Sequence, residues 1–269
     1  MNDVLIILVC YKVDLASLTL LKALHGADIL VYDNSLKKQE ASGEYLYVHD
    51  PSNPGVSKAY NYGINLARKM NKKFVLLLDH DTKFSMENLA EYMRLSAKYG
   101  EEYLYAPIIS GKEKIYSPFI EKRVRNLVQT EETFKYEEKY SLEDKSLINS
   151  GLMVPLKVID RIGGFNEKIK LDFSDIYFIS KYKRVMKEVI LVRINMGHGL
   201  SGDEGYDRQR ELNRFRYYCN GAREFKKSSG FKLKLNLFVL FRTLRLVMKY
   251  KGPAPIGIAL KYYTGEETI

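Results

Sequence analysis

Two carboxylates separated by one residue, Asp79 and Asp81, follow an unbroken apolar run, Phe74–Leu78. A short apolar run bounded by polar residues fits a strand buried on both faces. Ligands in open α/β sheets collect outside the carboxyl ends of the strands. Paired carboxylates at such a point make a hard, oxygen-rich site suited to Mg²⁺ or Mn²⁺. The same letters also fit a strand that ends in a polar turn with an Asp cap.

The elements that would carry this site can be placed from the pattern of apolar residues. Val4–Cys10, Ile29–Tyr32 and Leu46–Val48 are short apolar runs that suit strands, the second stopping at Asp33-Asn34-Ser35. Leu15–Leu24, 58–70 and Ser85–Tyr99 have helical spacing. Asn53-Pro54-Gly55 marks a turn, Ser57 is placed to cap the helix after it, and Ser85 with Asn88 forms a weaker capping pattern. Strands alternating with helices predict an α/β protein with a mostly parallel sheet. The stretch 111–145 is charged and weakly periodic and suits loops or short edge strands. Leu147–Pro155 carries the tight Asn149-Ser150-Gly151 spot. Val185–Ile194 suits a late strand, and Asp207–Phe225 and Lys232–Lys249 suit helices.

The chain has 269 residues, 46% of them hydrophobic and 28% charged, which is ordinary for a globular protein. Its two cysteines, Cys10 and Cys219, are far apart with no CxxC, against a disulfide framework or zinc knuckle. The N-terminus lacks a basic leader and a small-residue cleavage site, and no run approaches the roughly 18 apolar residues of a membrane span. The net charge of +10 is concentrated: Glu211 to Lys261 holds twelve Lys and Arg against two Glu, so the remainder is neutral. A basic tail on a neutral body suggests attraction to an anionic surface.

In order along the chain stand Val31-Tyr32-Asp33-Asn34-Ser35, Asn53-Pro54-Gly55-Val56-Ser57-Lys58-Ala59-Tyr60-Asn61-Tyr62-Gly63, Leu77-Leu78-Asp79-His80-Asp81, Asn149-Ser150-Gly151, Gly163-Gly164-Phe165, Leu171-Asp172-Phe173-Ser174-Asp175 and His198. Together, over Val4 to Arg223, they resemble glycosyltransferase family 2, the inverting nucleotide-sugar enzymes, and within it the rhamnosyltransferase-like enzymes of bacterial surface-polysaccharide assembly. The resemblance implies a GT-A fold over residues 1–225, followed by a basic helical extension over 226–269. It implies a dTDP- or UDP-sugar donor, with rhamnose favoured and hexose open, and a saccharide or lipid-linked acceptor.

The resemblance also assigns residues. Asp81 and His198 would ligate a divalent cation, Mn²⁺ or Mg²⁺, that offsets charge on the departing diphosphate. Asp79 would contact the ribose or the metal shell, and His80 serves as a spacer. Tyr11, Asp33, Gly55, Val56 and Asn61 would line the nucleotide, with Tyr11 offering a ring and Gly55 letting the backbone come close. An Asx turn with Asn34-Ser35 is the other use of Asp33. Asp175 aligns with the general base that takes the acceptor proton, and Asp172 is the second candidate, holding the acceptor. If a helix begins near Ser174, its positive end would keep Asp175 ionised. The following Ile176-Tyr177-Phe178 departs from the family's acidic pattern and leaves the acceptor open.

Two other readings fit parts of the chain. Asp79-His80-Asp81-Thr82 also resembles the nucleophile motif of haloacid-dehalogenase-like phosphatases, which ends the first strand of that domain, whereas strands precede it here. The basic balance would suit nucleic acid, but the body is neutral. In the tail, Arg242, Arg245 and Lys249 are spaced to share a helical face, so the expectation is a cytoplasmic enzyme held peripherally at the inner face of the membrane. A helix packed on the body with a solvated basic face is the other expectation.

Overall fold

The computed structural model describes residues 3–41, 43–110, 115–121, 125–127, 134–194, 196, 207–228, 232–265 and 267. Four strands come first: β1 (Val4–Cys10), β2 (Ile29–Asp33), β3 (Leu46–His49) and β4 (Phe74–Asp79). They pair in parallel in the order β3-β2-β1-β4. Every residue of β1 and β2 is buried, as is β4 up to Leu78. Unbroken apolar runs have no wet face, so they must lie between helical layers.

Those layers are α1 (Thr19–Ala23) and α3 (Met86–Tyr99), with Leu20, Leu89 and Leu95 in one apolar cluster, and α2 (Val56–Lys69), with Ala59, Ile64 and Ala67 in another. The run at Leu15–Leu24 divides into a 3₁₀ turn, Leu15–Ser17, and the short α1. At α3, Ser85 and Asn88 form the reciprocal capping box that the sequence suggested. At α2 the cap is Gly55, at φ 94° with no side-chain bond, and the expected cap Ser57 lies inside the helix.

The far half of the sheet departs from a simple alternation. β5 (Leu104–Pro107) leads to β6 (Ile109–Ser110), β7 (Ile115–Ile120), β8 (Arg125–Leu127), β9 (Lys139–Ser141) and β10 (Lys145–Ser146). Then come β11 (Met153–Pro155), α4 (Leu156–Ile162), α5 (Ser174–Tyr182) and β12 (Glu188–Val192). β11 inserts antiparallel between β4 and β5, β12 is parallel to β5, and β9 closes the edge antiparallel. Strands β6, β7, β8 and β10 make a separate small sheet from the stretch that looked irregular in sequence. Its apolar side chains Ile115 and Phe119 are buried, which the surrounding charges concealed.

Three helices follow: α6 (Arg208–Ser228), α7 (Lys232–Tyr250) and α8 (Ala254–Ala259). Leu212, Phe215, Cys219, Leu235, Val239, Leu246 and Ile258 share an apolar cluster with Ile169 and Phe173 of the α/β body. The tail therefore packs on the body through α6. This corrects the basic face expected on α7. The Arg242 guanidinium lies 4.1 Å from the Tyr218 ring centre, and Lys249 bonds Glu211 of α6 at 2.5 Å. Two of the three cations are therefore engaged with α6. Among the described residues no helix is long and apolar enough to cross a membrane.

Candidate active site

The carboxyl ends of β1, β2 and β4 carry Cys10, Asp33 and Asp79, adjacent by strand register. After β4 the chain turns at once, Thr82 N–H donating to the Asp79 carbonyl at 3.1 Å, and leaves Asp79, His80 and Asp81 partly exposed. The turn is fixed from beneath: the Thr82 hydroxyl is buried and bonded to that of Ser150 at 2.9 Å. Gly151, at φ 77°, is bonded to Leu77 at 2.8 Å and has no room for a Cβ against Pro107 and Met196. The Asn149-Ser150-Gly151 spot thus braces the Asp79–Asp81 turn.

A second carboxylate pair lies within electrostatic reach of the first. Asp172 and Asp175 flank Phe173, which takes a left-handed conformation (φ 74°) as it caps α5. A non-glycine residue there is strained, and such strain persists only where neighbours enforce it. Those neighbours come from both sides. From α2, the Val56 N–H donates to the Lys170 carbonyl at 2.8 Å, and the buried Ser57 hydroxyl donates to the Ile169 carbonyl at 2.5 Å. With its own proton so placed, Ser57 accepts from the Ser174 hydroxyl, 2.8 Å away. Asn61 holds both the N–H and the carbonyl of Phe165 at 2.9 Å, and also Glu167. From α6, Asn220 donates to the Lys168 carbonyl at 2.6 Å, and a Cβ on Gly221 would lie 2.2 Å from the Asp172 carbonyl oxygen.

This clamp engages three of the residues that the resemblance placed along the nucleotide. Gly55 has no space for a side chain because the Lys170 backbone is 2.3 Å from where its Cβ would stand, so its close approach to that backbone requires glycine. Val56 spends its N–H, and Asn61 its amide, on the loop that presents the acids. Asp33 is engaged as well, in the second of the two uses read from sequence. It is fully buried, and it accepts from Ser35 N–H at 2.9 Å, the Tyr47 hydroxyl at 2.9 Å and Gln39 at 3.1 Å. Burial raises its pKa, but these donors together outweigh that and lower it. The Asx turn is the use the structure makes of Asp33. Tyr11 differs: its ring is 44% exposed at the end of β1 and open to a ligand.

Ser57→Ala should cost about 1–3 kcal/mol, because it leaves the buried Ile169 carbonyl without its donor. Urea unfolding of the pair of proteins measures this, and equal midpoints would refute the clamp.

The electrostatics of the cluster run against the dipole expectation for Asp175. Burial, reinforced by the charges of Asp172 and Asp79, raises its pKa to about 6 even though its carboxylate accepts from the Ile176 N–H at 2.7 Å. The end of a nine-residue helix does not offset lost hydration and two like charges. Burial first, then Asp33 and Asp79, pushes the Cys10 thiol far up, which excludes a reactive thiolate. Tyr60, buried under the site, feels both Asp79 and Asp175, so the two carboxylate pairs share one environment. Asp79 and Asp81 are oxygen donors of the kind a hard divalent cation takes. Among the described residues there is no cluster of three or more His, Cys, Asp or Glu placed to hold a metal, and His198 lies outside the described residues.

Helix α6 adds residues that local sequence did not reveal. Arg214 Nε stands 3.8 Å from Asp172. Tyr217 is raised by burial and then by Tyr11, which places the two phenols within electrostatic reach of each other. A glycine inside a helical pattern, Gly221, was the one legible hint of close helix packing.

No protein-family model matches the chain, and no curated protein sequence does. Among solved structures, one of GalNAc-T7 with UDP, GalNAc and Mn²⁺ aligns with TM-score 0.57 at 12% identity, over 84% of this chain and 54% of that one. One of S. aureus TarS aligns with TM-score 0.56 at 12% identity, over 97% of this chain and 55% of that one. TarS residues 1–349 with UDP aligns with TM-score 0.51 at 13% identity, over 88% of this chain and 75% of that one. The chain spans about half the length of the first two. At these identities the likeness shows the fold: a GT-A arrangement, with a mostly parallel central sheet flanked by helices.

Proposed function

We propose that this chain is an inverting glycosyltransferase that moves a sugar from a nucleoside-diphosphate donor to a hydroxyl of a saccharide or lipid-linked saccharide. The observation that carries this reading is Asp175, buried and with its pKa raised to about 6, within reach of the charges of Asp172 and Asp79, on a GT-A fold. A carboxylate titrating there is ionised at neutral pH yet basic enough to take a proton in the transition state.

In this reading the exposed Tyr11 packs on the base, and Asp79 lies by the ribose. Asp175 accepts the acceptor's hydroxyl proton as that oxygen bonds to the anomeric carbon and the bond to the diphosphate breaks on the opposite face. Asp172, steadied by Arg214, holds the acceptor. Asp81 with His198 would hold a divalent cation, which when bound offsets the charge gathering on the diphosphate. UDP accompanies GalNAc-T7 and TarS in their crystals. The sequence resemblance favours dTDP-rhamnose, so both donor classes belong in the test.

Titration of dTDP- and UDP-sugars with Mn²⁺, followed by transfer assays, tests the reading. One donor should bind in a divalent-dependent manner, and Asp81→Ala should weaken that binding at least tenfold, about 1.4 kcal/mol. Binding that ignores both the cation and Asp81 would overturn the metal assignment, and no binding by any donor would overturn the function.

A further inference from the structure

Helix α7 has two apolar faces. The inner one, Leu235, Val239 and Leu246, is buried on α6. The outer one consists of Leu233, Leu237, Leu240, Phe241, Leu244 and Met248, all exposed, from 42% at Leu237 to 73% at Leu233. Successive spacings of four, three, one, three and four place these six on a single stripe opposite the buried face. Ile256 and Leu260, on and just after α8, are exposed as well. A contiguous apolar stripe of this kind marks an interaction surface.

Charge identifies the occupant. Between Glu224 and Glu266 the chain has nine Lys and Arg and no Asp or Glu. Lys234 and Arg245 border the stripe along one edge, with Lys232 on the other side of the helix and Lys251 beyond its end; all four residues are exposed. A second copy docking face to face would set one cationic rim against another, and like charges across an interface disfavour it. A bilayer carrying acidic headgroups complements both parts: the rim meets the headgroups, and the Leu, Phe and Met side chains enter the acyl boundary.

We propose that the outer face of α7 is an interfacial membrane-docking surface selective for anionic lipid. The apolar stripe makes the insertion, and Arg242 and Lys249, engaged with α6, hold the helix on the body. The proposal is independent of which sugar donor the site takes. The orientation follows from the packing: α7 lies in the membrane plane, its inner face on α6 and its outer face in lipid.

The full chain with phosphatidylcholine vesicles, with and without phosphatidylglycerol, provides the test. Binding should require phosphatidylglycerol and weaken as salt rises. The double variant Phe241→Asp/Leu244→Asp should reduce vesicle binding at least tenfold. The same variant should keep its thermal midpoint, since both side chains face outward. Binding that is unchanged in the double variant, or absent in the parent, would overturn the proposal. So would a parent dimer that the double variant converts to monomer in light scattering, because a second copy would then cover the face.

Discussion

Asp175→Asn should lower transfer by about 10²- to 10⁴-fold, the range for losing a positioned general base, while leaving donor affinity intact. An amide cannot take the acceptor proton, but it keeps the shape and the Ile176 contact. In the parent enzyme, kcat/KM should rise through about pH 6 and level off above it, following the ionisation of Asp175. An unperturbed aspartate would put that limb about two units lower. The sign for stability is opposite to that for activity. The folded-state pKa lies above the unfolded one, so between about pH 4 and pH 6 the folded state binds more protons, and stability falls as pH rises through that window. The asparagine variant is free of this cost. It should be more stable than the parent at neutral pH by on the order of 2 kcal/mol, and equal to it near pH 4. Urea unfolding at the two pH values tests this, and retained turnover in the variant would remove Asp175 from the chemistry.

Gly221→Ala sets two effects of opposite sign against each other. Alanine inside an exposed helix gains about 1 kcal/mol over glycine. Here the new Cβ would stand 2.2 Å from the Asp172 carbonyl oxygen and 3.2 Å from the Phe173 ring. The nearest atom is backbone held by the α2 clamp, so it cannot swing away. Overpacking of this kind costs about 1–3 kcal/mol and forces a backbone shift. With the nearest contact to backbone, the steric term is at the upper end of its range, and net destabilisation of up to about 2 kcal/mol is expected once the propensity gain is subtracted. Function should suffer more than stability. Moving the Asp172–Asp175 turn by about 1 Å misplaces the base and can cost around 100-fold in rate. The check is kcat on a variant that is still folded at assay temperature. A stabilised, fully active Gly221→Ala would show that α6 does not press on this turn.

Much of the fold was legible because its signals are local. The apolar runs of β1, β2 and β4 have no polar alternation, and Ser85 with Asn88 spells a capping box within four residues. β11 was not legible as a strand inserted antiparallel between β4 and β5, since pairing partners lie far along the chain. The small sheet of β6, β7, β8 and β10 was obscured because its few apolar residues are scattered among charges.

The Asn53–Gly63 motif was legible as a tight turn leading into a helix, and its protein partner was not. Gly55, Val56 and Asn61 announce a tight backbone and a committed amide, but sequence does not say to what. The structure commits them to the loop at 164–174. Asp33 likewise reads in sequence as either a ligand-facing carboxylate or an Asx turn, and in the structure Ser35, Gln39 and Tyr47 donate to it.

By itself the sequence determined the strand-end carboxylates, the alternating α/β order and the basic excess after residue 210, because each is a matter of residue type and near-neighbour spacing. Only the tertiary structure decided what those residues face. It brought Asp175 within reach of the charge of Asp79 across nearly a hundred residues, and burial with two like charges then moved its pKa to about 6. It turned Arg242 and Lys249 of α7 toward α6 and left the apolar stripe outward. Desolvation and packing are properties of the assembled neighbourhood, and no stretch of chain carries them alone.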